Sequence, residues 1–238
     1  MCTLTYLPHP GGFVMASSRD ESRYRGGMGL PVQDTTLRAC YPVDERSGGT
    51  WILTSADGYS LNLLNGGHRA HPPGGPYRHS RGLVPLLFAK AGGLRSFLEG
   101  FDPTGLEPFT LVVIGHQKPS VTDLVWTGGD LEQVERDPGL PRIWSSATLY
   151  DADTRRQREA WFHQAMDRTE GEMPEDRLMR FHQSGGEGLA AQDRTIRMAR
   201  PGGLETVCLA TVVHNEREWR LHMHDLVNGA QRTVRMIG

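Results

Sequence analysis

β-Branched and aromatic residues crowd the start of the chain, and residues 2–7 read as a strand. Residues 11–17 can pair with it through a Pro8-His9-Pro10 turn. Residues 50–54 and 59–64 flank Ala56-Asp57-Gly58, and Asp-Gly between apolar runs signals a hairpin. Ser80 can cap a helix over residues 82–99, with Leu83, Leu86, Leu87, Leu94 and Leu98 on one side; Pro85 and Gly92-Gly93 interrupt that run. Residues 109–114 form an apolar strand, and residues 121–126 and 131–135 a hairpin over Gly128-Gly129-Asp130. Residues 151–167 predict a helix with Trp161, Phe162, Ala165 and Met166 as its inner stripe and Arg155, Arg156 and Arg158 on its solvated side. A short helix over 175–182 follows. Strands return over 207–213, 219–227 and 231–237, with Asn228-Gly229 as a turn.

Antiparallel hairpins with helices grouped between them predict an α+β fold. Sheets drawn from both ends of the chain, with two helical inserts, suit a layered sandwich with helices outside. No internal repeat or heptad divides the 238 residues, so a single domain over 1–238 is expected. Gly and Pro number 29 and 15, above the usual share, which predicts many turns. The most biased stretch, Asn65 to Ser80, is a loop long enough for a lid or binding loop.

The formal charge of −2 argues against a nucleic-acid binder. No apolar run reaches the length of a transmembrane helix, and the N-terminus lacks the basic and apolar segments of a signal peptide. Three scattered cysteines, Cys2, Cys40 and Cys208, give neither a disulfide framework nor a metal spacing, so a cytoplasmic location is expected.

Cys2 is the most informative residue. Once Met1 is removed, its thiol and its own α-amine lie about 3 Å apart. The amine has an ordinary pKa of about 7.7–8.0, so it is partly neutral near pH 7 and can accept the thiol proton. Nucleophile and base then share one residue.

Other features follow in order: Ser17-Ser18-Arg19-Asp20-Glu21 after a strand, Gly48-Gly49-Thr50-Trp51 opening a hairpin, Asn62-Leu63-Leu64-Asn65 closing it, and Ser80-Arg81-Gly82 starting a helix. Trp144-Ser145-Ser146-Ala147-Thr148-Leu149 precedes the next helix. This ordered set resembles the NRDE, or transport-and-Golgi-organisation, family, whose name-giving Asn-Arg-Asp-Glu reads Ser18-Arg19-Asp20-Glu21 here. That family is similar to N-terminal-nucleophile hydrolases of the bile-salt hydrolase and penicillin acylase type. The resemblance implies a four-layer αββα sandwich.

It also implies roles. Cys2 would be the nucleophile, Asp20 would orient its amine, and Asn65 would donate to the oxyanion. Arg19 and Arg81 would line the substrate pocket, with Ser146 where relatives carry a second Asn. The reaction implied is cleavage of a non-peptide amide, with no metal or cofactor. The ligand would be a small molecule, carboxylate- or phosphate-bearing in such arginine-rich surroundings. The second implied function is non-enzymatic: binding or trafficking of haem or of a lipid or acyl ligand on the same scaffold. Two departures from the hydrolases, Ser146 for Asn and Glu205-Thr206 where an Arg is usual, bear on catalysis and leave the fold untouched.

Other constellations carry less. His222 and His224 share a strand face, but no ligand partner accompanies them. His68, His71 and His79 lie in the Gly/Pro loop as candidate ligands for a metal or a haem. Neither a nucleophile elbow nor a phosphate-binding glycine motif is present.

Overall fold

The computed structural model describes residues 2–72, 74–167, 171–216 and 218–236. Met1, whose removal the N-terminal reading needs, Pro73 in the Gly/Pro loop and Ile237 at the end of the last strand lie outside them.

Two antiparallel sheets face each other. The chain opens with β1 (Cys2–His9) and β2 (Gly12–Ser22), then lays down a second sheet as a sequential meander: β3 (Met28–Asp34), β4 (Ala39–Asp44), β5 (Ile52–Ser55), β6 (Tyr59–Asn65), β7 (Phe109–Gly115), β8 (Ser120–Trp126) and β9 (Leu131–Arg136). It returns to the first sheet with β10 (Arg142–Ser145) beside β1, and completes it with β11 (Ala199–Arg200), β12 (Leu204–His214), β13 (Trp219–Asp225) and β14 (Gln231–Met236). Helices α1 (Val84–Ala91) and α2 (Leu94–Gly100) are inserted between β6 and β7, and α3 (Ala152–Asp167) and α4 (Pro174–Ser184) between β10 and β11.

Strand alternation sorts the apolar residues into three layers. Leu4, Tyr6, Phe13 and Met15 face Ile52, Leu64, Val112 and Ile114 across the two sheets. Leu7, Val14 and Ala16, on the other face of the first sheet, pack on Phe162, Met166, Leu178 and Phe181 of α3 and α4. Leu53, Leu61 and Leu111 pack outward on Val84, Phe88 and Phe97 of α1 and α2. The order of layers is therefore αββα, as the resemblance implied.

Several elements differ from the sequence reading. The first turn is Pro10-Gly11, because His9 pairs with Gly12. The helix expected over 82–99 is a 3-10 turn at Arg81–Leu83 followed by two helices, broken where Gly92 and Gly93 take φ of 79° and 148°. Strands β3, β4, β10 and β11 lie outside the sequence expectation. β3 is an edge strand that holds Pro31 and a register shift, which blurs its pattern. The largest correction concerns Arg158. It is not solvated but has 0% exposure, beneath the first sheet, whereas Trp161 and Ala165 are only half-buried.

Candidate active site

Cys2 begins β1 and stands directly opposite Arg19 of β2, so both side chains project from one face of the sheet toward its partner sheet. Cys2 is 2% exposed and Arg19 8%. Arg19 lies over the Trp51 ring at 4.3 Å and donates from Nη2 to Asp44 Oδ2 at 2.5 Å. Arg25 reaches the same oxygen at 3.0 Å, and the N–H groups of Arg46 and Ser47 bond Asp44 Oδ1. Burial alone would raise the Asp44 pKa, but these partners hold it below the usual range.

A cavity of about 210 Å³ opens here. Cys2, Arg19, Asn65 and Arg81 line it, together with Trp51, Asp44 and Glu107. Four of the six residues singled out in the sequence therefore meet. Two glycines explain the approach of Arg81. A Cβ on Gly49 would collide with the Gly82 backbone, and Thr50 N donates to Gly82 O at 2.8 Å. The Gly48-Gly49-Thr50 and Ser80-Arg81-Gly82 segments thus pack on each other. Arg81 pairs with Glu107 at 2.9 Å and donates to Pro108 O. The Asn65 side-chain amide has no hydrogen-bond partner among the described residues.

Ser146 and Asp20 are not in the cavity wall. Ser146 is a clamp: its N–H donates to Cys2 O at 3.1 Å and its hydroxyl to Asn65 O at 2.8 Å. Asp20 projects to the opposite face of the first sheet from Cys2. There it accepts from Tyr150 Oη at 2.8 Å and Thr206 Oγ1 at 2.7 Å. A β-bulge between Thr206 and Cys208 turns Thr206 to that side. Burial raises the Asp20 pKa, opposed by Arg158, Thr206 and Tyr150. The orienting contact between Asp20 and the Cys2 amine that the resemblance implied is not among the described hydrogen bonds.

Arg158 anchors this buried polar layer. It donates to Thr3 Oγ1 at 2.7 Å, to Arg194 O at 2.9 Å and to Thr195 O, and its guanidinium lies 3.4 Å over the Tyr150 ring. His182 of α4 bridges Thr5 and Ser18 at 2.8 and 2.6 Å, and burial pushes its pKa down to about 3.

Cys2 itself is electrostatically divided. Burial pushes its thiol pKa up, while Arg19 and the Ser17 hydroxyl pull it down. Ser17 Oγ in turn accepts from Asn62 Nδ2 of the facing sheet at 2.9 Å. Sequence reasoning missed this Asn62–Ser17 pair, although Ser60 and Asn62 alternating with Leu61 and Leu63 place polar groups on an inner face. It also missed Asp44, Glu107, Tyr150 and Arg158.

The loop histidines do not converge. His68 pairs with Glu132, His71 with Glu107, and His79 with the Ser80 carbonyl. Cys40 and Cys208 are buried and free, and burial pushes the Cys40 thiol up to about 12. No helix among the described residues is long and apolar enough to cross a membrane.

No family model and no curated protein matches the chain. Solved structures do. An N-acylethanolamine-hydrolyzing acid amidase ortholog from Caenorhabditis elegans superposes with a TM-score of 0.56 at 10% identity, over 90% of this chain and 92% of that one. A mutant of the conjugated bile acid hydrolase from Clostridium perfringens gives 0.54 at 8% identity, over 99% and 92%. The chain has the N-terminal-nucleophile hydrolase fold. At these identities the likeness shows the fold alone.

Proposed function

We propose that this protein is an N-terminal-nucleophile amidase acting on a small-molecule, non-peptide amide through Cys2. The observation that carries this reading is the meeting of Cys2, Arg19, Asn65 and Arg81 around one cavity at the start of β1. The structural neighbours, named as amide- and conjugate-hydrolysing enzymes, support it. The ordered motifs that resemble those of the NRDE family are compatible with it.

A buried thiol with a raised pKa rests protonated and needs a base. After loss of Met1 the Cys2 α-amine is that base. It takes the thiol proton as sulfur adds to the amide carbon. The C–N bond then breaks, and the proton passes to the departing nitrogen. Water attacks the resulting thioester, the C–S bond breaks, and the acid leaves with the thiol restored. The Asn65 amide donates to the oxyanion, worth about 2.7–4 kcal/mol for such a donor. Ser146 fixes the backbone on both sides of this step, and Asp20 braces the strand from beneath through Tyr150 and Thr206.

The test is a low dose of iodoacetamide at neutral pH, followed by intact mass and peptide mapping. Cys2 should lack Met1 and be alkylated well ahead of Cys40 and Cys208, and Cys2→Ala should abolish amide turnover without unfolding. Retained Met1 or an inert Cys2 overturns the reading. The scaffold would then be a carrier, and a haem titration followed by Soret absorbance, beside acyl-ligand binding, would examine that function.

A further inference from the structure

Building on the reading of Cys2 as nucleophile, we propose that its substrate is a small amide whose acyl part ends in a carboxylate, a short dicarboxylic acid monoamide, held by Arg81 and Arg19. Amides of long-chain or polycyclic acids are excluded from this cavity.

Size is the first argument. The Cys2 cavity measures about 210 Å³, below the range of about 300–1,000 Å³ usual for drug-sized ligands. Trp51 and Leu63 are its apolar walls; the rest are charged, hydroxyl, amide or thiol side chains and one glycine. A neighbouring hollow of about 220 Å³ shares Arg19, Glu21 and Arg25 as a wall. It offers no continuous apolar channel, since Met28, Val207 and Val227 are interleaved there with Arg23, Glu45 and Asp225. A long alkyl chain in this space would desolvate ion pairs without compensation.

The second argument is an imbalance of hydrogen-bonding capacity. Arg19, Arg25 and Arg81 face Glu21, Asp44 and Glu107, so the formal charges balance. Their donors and acceptors do not. Asp44 is saturated by Arg19, Arg25 and two backbone N–H groups. Glu107 is taken by His71 and Arg81, and Glu21 by Ser22 N and Arg25. A guanidinium carries five N–H donors. Arg19 spends one on Asp44, and Arg81 spends two on Glu107 and Pro108 O. Arg19 and Arg81 thus keep unspent guanidinium donors beside a thiol, and the cavity calls for a compact, acceptor-rich anion. A carboxylate a few bonds from the scissile carbonyl supplies one, and it pairs with guanidinium in bidentate fashion.

The experiment compares p-nitrophenyl monosuccinate, butyrate and laurate on the isolated protein. Acylation forms the S–C bond, breaks the ester C–O bond, passes the thiol proton to the α-amine and releases p-nitrophenolate with the electron pair; intact mass counts the adducts and peptide mapping locates them on Cys2. The monosuccinate should acylate Cys2 about tenfold faster than butyrate, the scale of one charge-assisted hydrogen bond, with laurate slowest. Arg81→Gln should narrow the succinate-to-butyrate ratio. In the unaltered protein, succinate should protect Cys2 from iodoacetamide better than butyramide, which covers the case of a variant that fails to fold. Equal rates, a preference for laurate, or absence of succinate protection overturns the substrate class and leaves Cys2 as nucleophile. Absence of any Cys2 adduct from all three esters overturns the nucleophile and the substrate together.

Discussion

Replacing Arg19 by leucine keeps an apolar side chain against Trp51 and removes the cation beside Asp44. Both side chains of the pair are about nine-tenths buried. Removing one partner of a buried pair costs about 3–5 kcal/mol when the other charge is left alone. Asp44 is not left alone: Arg25 and the N–H groups of Arg46 and Ser47 remain. The loss at pH 7 should therefore be smaller, about 2 kcal/mol, or a fall in Tm of about 4–8 °C for a chain of this length. The sign with pH follows from linkage. Despite its burial, Asp44 is held below its ordinary value by Arg19 and Arg25. Its contribution is present above the unfolded carboxyl pKa of about 3.9 and is lost as pH falls through the lower folded value. Urea unfolding at pH 7 and pH 3 should show a wide gap between native protein and Arg19→Leu at pH 7, and a narrower one at pH 3. A gap of equal size at both would mean that leucine merely packs badly and that the ion pair contributes nothing.

Arg158→Met should cost about 3 kcal/mol or more, because the carbonyls of Arg194 and Thr195 lose their donor in the interior; a urea midpoint displaced by less than the equivalent of about 1 kcal/mol would refute this. Ser17→Ala should shift the pH profile of Cys2 alkylation toward alkaline pH, and Asn62→Leu should shift it in the same direction by freeing the Ser17 hydroxyl; unmoved profiles would show that the pair does not act on the thiol. His182 is depressed to about 3 in the folded state, so its share of stability is full above its unfolded pKa of about 6.5 and lost as pH falls toward 3. His182→Asn should flatten the acid limb of a stability–pH curve, and a curve of unchanged shape would count against that origin.

The hairpins were legible because their signals are local. Asp57-Gly58 and Asn228-Gly229 mark turns wherever the strands go. The αββα order came from the family resemblance; β3 escaped the sequence pattern because an edge strand with Pro31 lacks the usual alternation, and β4, interrupted by Pro42, pairs beside it. Arg158 was misplaced for a different reason. Helical periodicity ranks residues by polarity, and the face of α3 that packs on the first sheet meets Thr3, Tyr150 and Asp20, where a guanidinium is better matched than leucine. Likewise the motifs placed Arg19 and Asp20 next to each other in the chain. Only the strand's alternation shows that neighbours of this kind serve opposite faces. Asp44 and Glu107 were invisible as site residues, since nothing near them in sequence announces the arginines they hold.

The Ser146 clamp has a mechanical consequence. One residue ties the backbone of Cys2, in the first sheet, to that of Asn65, in the second. Shear between two stacked sheets would ordinarily separate groups carried on each. Here the two termini are stapled, so when one sheet slides the other end is dragged with it. The spacing between sulfur and amide is thereby insulated from breathing of the sandwich, and the slack is displaced to the far end of the strands.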